Sequence, residues 1–209
     1  MNKLLPLLLM LGWQLALAQA DAPPAYPREG ASKMLENDHV IVWNISWLQR
    51  DYPVHRHRYA HTGVYYQPGD RIITSIEGEA REVHTDAWNI SFQPAGVIHT
   101  ETGISESPLQ AVFIQIKRPV AVALAAADGV AQFPAVSLLD RRSNERVRVW
   151  QYPEAYSDNE ETVHFHAHDA VVVWFDAANQ PNVHFIARGT VDSGDRPTAA
   201  ERAFVFEIR

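Results

Sequence analysis

The chain has no cysteine among its 209 residues. That absence excludes disulfide cross-links, thiolate metal ligands and thiol nucleophiles, so the fold must be secured by core packing or oligomerisation and any metal by nitrogen and oxygen donors. Long apolar runs are also scarce. Leu4–Leu17 is the one candidate, and it is interrupted by Pro6, Gly12 and Gln14 and falls short of the ~20 residues a membrane helix needs. Lys3 precedes this run and the small residues Ala16, Ala18 and Ala20 stand at and just past its end, so residues 1–20 read as a cleavable signal peptide. Export to the periplasm or beyond is expected, with no membrane span after cleavage. Basic charge is in short supply: 18 Lys and Arg face 25 Asp and Glu, and loss of Lys3 with the leader would take the net charge from −7 to −8. Such a balance disfavours nucleic-acid binding, which needs a basic face. A phosphate-cradling glycine loop and a Gly-x-Ser-x-Gly elbow are missing too, which disfavours nucleotide transfer and serine hydrolysis of that type.

Histidine is well supplied, and its spacing carries the chemistry. His55 and His57 are two apart, which on a strand puts both imidazoles on one face. Pro94-Ala95-Gly96-Val97-Ile98-His99 brings a third imidazole on the flank of a later strand, enough to close three corners of a metal's coordination sphere. His61, four past His57, is either a fourth ligand or a supporting residue behind or beside the other three. Arg56 and Arg58 should project the opposite way, as solvated charge. His39 and His84 have no partner pattern and are expected at the surface.

The chain repeats itself. Asn37–Trp43 recurs as Asn144–Trp150 at an offset of 107, and Val54-His55-Arg56-His57 as Val163-His164-Phe165-His166 at an offset of 109. Phe92–His99 recurs in weaker form as Phe185–Asp192, and Ala111–Lys117 as Ala203–Arg209. Four blocks in one order make chance an unsatisfactory explanation. From His57 to Pro94 is 37 positions but from His166 to Ala187 only 21, so the second copy lacks 16 residues, about one β-hairpin. His164, His166 and Asp192 could form a two-histidine, one-carboxylate set suited to Fe(II) or Mn(II), but with part of its wall missing the second copy is expected to be a structural half.

Each block is short, rich in β-branched and aromatic residues, and bounded by Pro, Gly, Asp or Asn, the pattern of an all-β sandwich or barrel. The expected organisation is a leader at 1–20, an extended proline-bearing arm at 21–35, a metal-site domain at 36–118, a linker at 119–142 and a truncated domain at 143–209. Within the linker, the alanine-rich stretch from Arg118-Pro119 to Ala127, stopped by Asp128-Gly129, predicts one short helix.

The His-x-His pair and the Pro-x-Gly-x-x-His motif, together with the repeat, resemble the cupin superfamily, specifically an exported bicupin, over roughly residues 36–118 and 143–209. The resemblance implies two tandem double-sheet β-barrels of the jelly-roll class, with His55, His57 and His99 as metal ligands and a divalent ion, Fe, Mn, Ni or Zn, as cofactor. The family's glutamate, three or four residues after the first pair, is replaced by His61 or Thr62; its glycine six positions before Pro94 is Trp88; and Gly103 stands for an asparagine after the motif histidine. Those departures bear on the metal and the reaction more than on the fold. Tyr65 or Tyr66, Trp88, Phe92, and Phe113 or Gln115 are the expected pocket lining, one of each alternating pair facing inward. The function expected is a periplasmic metal-dependent enzyme on a small organic molecule, dioxygenase-type favoured over isomerase or lyase, in a homodimer. The alternative is a non-catalytic ligand-binding or scaffold bicupin.

Overall fold

The computed structural model describes residues 22–118, 123–135, 138–153, 163–192 and 200–209; the leader lies outside them. Among the described residues every regular element is a strand. The front half contains β1 (Ala31–Glu36), β2 (Val40–Trp47), β3 (Asp51–Arg56), β4 (Ala60–Gln67), β5 (Gly69–Ser75), β6 (Ala80–Thr85), β7 (Ile90–Gln93), β8 (Ile98–Gly103) and β9 (Leu109–Ile116). The back half contains β10 (Ala131–Gln132), β11 (Leu139–Ser143), β12 (Val147–Gln151), β13 (His164–Phe165), β14 (Asp169–Phe175), β15 (Pro181–Ile186), β16 (Val191–Asp192) and β17 (Arg202–Ile208).

In the front half a five-stranded sheet, β1-β2-β9-β4-β7, faces a four-stranded sheet, β3-β8-β5-β6. Alternation along the strands sorts their side chains. Trp43, Ile45 and Trp47 of β2 turn inward with Tyr65, Leu109 and Phe113, while Val40 and Val42 turn outward with Tyr66, Val112 and Ile114. The arm closes this barrel: Ala25 N–H donates to Arg56 O, Arg56 N–H donates to Pro23 O, and Tyr26 stacks on Trp43 with ring centroids 5.4 Å apart.

The back half repeats the plan. Its large sheet runs β11-β12-β17-β14-β15, strand for strand the order of the front sheet, and β14 leads directly into β15 where the front half inserts the β5–β6 hairpin. That hairpin is the segment missing from the second copy. Local bonds repeat as well. Asn37 Oδ1 accepts from the His39 and Val40 amides, as Asn144 Oδ1 does from Arg146 and Val147. Trp43 Nε1 donates to Gln115 at 2.9 Å, and Trp150 Nε1 to Glu207 at 3.1 Å.

The two large sheets pack face to face. Val147, Val149, Val171, Val173, Phe204 and Phe206 meet the outward residues of β2, β4 and β9 in one continuous core. This explains why β9, β14 and β17 are apolar on both faces: each is covered by its own barrel on one side and by the other copy on the other. His39 stands at the edge of this seam with its side chain still 38% exposed, Nδ1 3.0 Å from Asp169 Oδ2 and its ring stacked on Phe185. His84 is exposed and pairs with Asp70 and Asp86.

Two expectations are corrected here. The linker helix is not found: residues 119–122 lie outside the description, and 123–127 form no helix. Instead Leu124 N–H donates to Ala167 O, Phe133 N–H donates to Phe165 O, and β10 pairs in parallel with β13. Alanine's helix preference is a weak prior, and a sheet edge in need of backbone partners overrides it. Trp88 does not line the pocket. Its φ of 65° is the left-handed conformation that a glycine would favour, and this turn aims the indole into the seam, 5.1 Å from Phe175 and 6.3 Å from Phe204 between ring centroids, under the Arg202 guanidinium. Burial against the second copy offsets a backbone strain of order 1–3 kcal/mol.

Candidate metal centre

β3 and β8 run antiparallel with His55 directly opposite His99, and a bulge between Tyr52 and His55 sets that register. His57 extends the pairing past the end of β3, donating its N–H to Val97 O while its carbonyl accepts from Gly96 N–H. All three imidazoles are buried, and their donor nitrogens lie within 4.8 Å of one another. His57 Nε2 and His99 Nε2 are 3.1 Å apart, which falls in the ~2.9–3.4 Å expected of two nitrogens held ~2.0–2.1 Å from one ion. His55 Nδ1 is 2.9 Å from Pro53 O. Donation to that carbonyl fixes the tautomer and leaves the Nε2 lone pair for the site. These side chains fit a divalent ion. His61 does not join the converging three; it packs against His57 and Phe113, ring centroids 4.8 and 4.7 Å away.

The carboxylate absent from the first motif arrives from another strand. Glu101, two past His99 on β8 and therefore on the same face, is buried with Oε2 3.9 Å from His55 Nε2 and Oε1 3.9 Å from His99 Nε2. Trp47 Nε1 donates to Glu101 Oε2 at 2.9 Å, and Arg71 Nη1 stands 3.5 Å from Oε1. Arg71 is buried too, donates to the Tyr65 hydroxyl at 2.8 Å and lies over the Trp47 ring. The motif search missed both residues, but alternation along β8 from His99 and along Gly69–Ser75 was the available signal. Gly103, where the family has asparagine, answers to space: a Cβ there would collide with the Leu48 carbonyl.

A cavity of about 130 Å³ opens beside the histidines, lined by His57, His99, Glu101, Tyr65, Phe92 and Phe113 among others. Tyr65, Phe92 and Phe113 are among its lining residues. Tyr66 and Gln115 are not in the lining: Tyr66 donates to Asn44 Oδ1 on the outer face, and Gln115 accepts from Trp43. Arg56 and Arg58 are exposed.

Burial holds His57 down to about 2, helped by the neighbouring imidazoles and Arg71. Burial also lowers His61 to about 3 and His99 to about 4, against the opposing pull of Glu101. Neutral imidazoles are what metal ligation requires. For Glu101 burial alone would raise the carboxyl, but Arg71, His99 and the Trp47 N–H outweigh it and keep it below its ordinary value. The sign follows from linkage. The unfolded rings, with a value of 6.5, take up protons that the folded rings refuse, so metal-free stability is complete above about pH 6.5 and lost below it, at up to ~1.4 kcal/mol per pH unit for each ring. Thermal melts of the metal-free protein should therefore fall steadily from pH 7 to pH 5; a flat profile would mean that the rings titrate normally.

The back barrel preserves part of this arrangement. His164 and His166 are buried with their Nε2 atoms 3.1 Å apart, Phe133 stacks on His166 at 4.8 Å, and Asp192 takes the register position opposite His164 that His99 takes opposite His55.

No protein-family model matches the sequence, and no curated protein does either. Solved structures do. AerE from Microcystis aeruginosa aligns over 90% of this chain and 98% of its own, at 11% identity and a TM-score of 0.57. A cupin domain from Bordetella pertussis Tohama I covers 45% of this chain and all of its own, at 23% identity and a TM-score of 0.40. The polyketide cyclase RemF from Streptomyces resistomycificus covers 48% and 77%, at 14% identity and a TM-score of 0.35. At 11% identity the likeness to AerE is one of fold alone, and the sheet orders and the repeat describe two tandem double-sheet β-barrels, complete in the front half and abbreviated in the back.

Proposed function

We propose that the protein is a periplasmic metal-dependent enzyme that acts on a small organic molecule by dioxygenase-type chemistry. The observation that carries this reading is the convergence of His55, His57 and His99 on one buried point beside a small cavity. A divalent ion held by those three side chains would supply a Lewis acid and, if it is iron or manganese, one-electron chemistry.

The remaining residues prepare the cavity for a substrate. Glu101, kept ionised by Arg71 and Trp47, places a fixed carboxylate beside two of the imidazoles, within reach of a proton on a bound molecule. Tyr65 is oriented by Arg71, while Phe92 and Phe113 exclude water from one wall. The leader-like residues 1–20 support the location.

Protein purified from the periplasm, loaded in turn with Fe, Mn, Ni, Co, Cu or Zn, is expected to consume oxygen with at least one member of a panel of diketones, phenols and thiols. Product without oxygen uptake would move the assignment to isomerase or lyase. Stoichiometric metal with no turnover of any compound would leave a ligand-binding protein in place of an enzyme.

A further inference from the structure

Arg81 lies on β6, the free edge of the four-stranded sheet. It pairs across β5 with Ile73, and Ile73 pairs across β8 with Glu101, so all three form one row on the inner face. Two concavities meet at that row. The cavity of about 130 Å³ beside the histidines and an open cleft of about 330 Å³ on the solvent side share Ile73, Arg81 and His99 in their linings. Arg81 thus stands at the passage between solvent and the histidines.

Its electrostatic situation differs from that of Arg71. The Arg71 charge is matched by Glu101 and its fork is engaged by Tyr65. Arg81 makes no hydrogen bond or ion pair with any described residue, and Glu79, although it lines the same cleft, is not within ion-pairing reach. With Glu101 cancelled by Arg71 and the ligating imidazoles neutral, a bound divalent ion and Arg81 would both remain uncompensated. Two positive centres a short distance apart, in a chain with a net charge of −7, focus attraction for a small anion on this one opening.

We infer that the front barrel takes a short-chain organic acid bearing a second oxygen function, its carboxylate seated on Arg81 at the mouth and its other end directed at His55, His57 and His99. This rests on the metal-site reading above. The size follows from the cavity, which holds the equivalent of about four waters, so the molecule is compact and its carboxylate remains in the cleft. A guanidinium suits that role because its planar fork meets a carboxylate with two hydrogen bonds. The β5–β6 hairpin carries Arg71, Ile73 and Arg81 together and is the element the back copy lacks, so anion selection is confined to the front barrel.

The test uses the full mature protein loaded with Co(II), whose content is measured first and whose visible spectrum reports ligand entry. 2-Oxobutyrate and its neutral analogue 2-oxobutanamide are then titrated by calorimetry. The unaltered protein should bind the acid about tenfold or more tighter than the amide, and both Arg81→Ala and Arg81→Gln should lose about tenfold for the acid and less than about twofold for the amide, with cobalt content unchanged. Equal affinity for acid and amide, no saturable binding of the acid, or an undiminished affinity in both variants would overturn the inference while leaving the metal site intact. An unaltered protein that takes up no cobalt would overturn the metal reading itself, and the inference with it, before any acid is added.

Discussion

Replacing His57 by alanine should strip the protein of its metal. The unaltered protein, dialysed after loading, is expected to retain close to one equivalent, and the variant less than about a tenth, a loss in affinity greater than the roughly hundredfold that removal of a mere supporting residue causes. The reason is geometric. His57 Nε2 lies 3.1 Å from His99 Nε2, and without it the two remaining donors come from opposite strands with the third corner open. Metal should raise the melting temperature of the unaltered chain and leave that of the variant where it was, because only a site present in the folded state couples binding to stability. Undiminished occupancy in His57→Ala would remove His55, His57 and His99 as the site.

The second large effect belongs to the seam between the copies. Phe175→Ala is expected to cost ~3–5 kcal/mol and to lower the melting temperature by about 10 °C. Phe175 is fully buried and meets Tyr66 and Trp88 of the front copy, at 5.2 and 5.1 Å between ring centroids, as well as Phe204 of its own. Truncation opens a hole walled by large rings that cannot collapse into it. Metal stoichiometry should not change, since Phe175 is no part of the cavity lining. A drop of less than about 3 °C would show that the two sheets are not locked together as described.

Much of this was legible in the sequence because it is written with strong periodic signals. The offsets of 107 and 109 reported a duplication that the matching sheet orders bear out, and the 16-residue deficit corresponds to the β5–β6 hairpin. Other features were hidden for specific reasons. Glu101 escaped because the family motif seeks its carboxylate soon after His57, while the fold brings one from β8. Trp88 looked like pocket lining from its position shortly before the second motif, but a single positive φ reverses the direction of the side chain. The alanine-rich linker suggested a helix because local preference cannot see the sheet edge waiting to receive it. Arg81 gave no signal at all, since its position at a passage exists only once β5, β6 and β8 are side by side.

One strand has a practical consequence. On β9, Phe113 looks into the cavity while its neighbours Val112 and Ile114 look into the joint with the second copy. The two duties fall on alternate residues and share no side chain. The cavity can therefore be re-cut at Phe113 for a bulkier guest without loosening the masonry behind it, a separation of roles that makes this chain a tractable scaffold for altered binding.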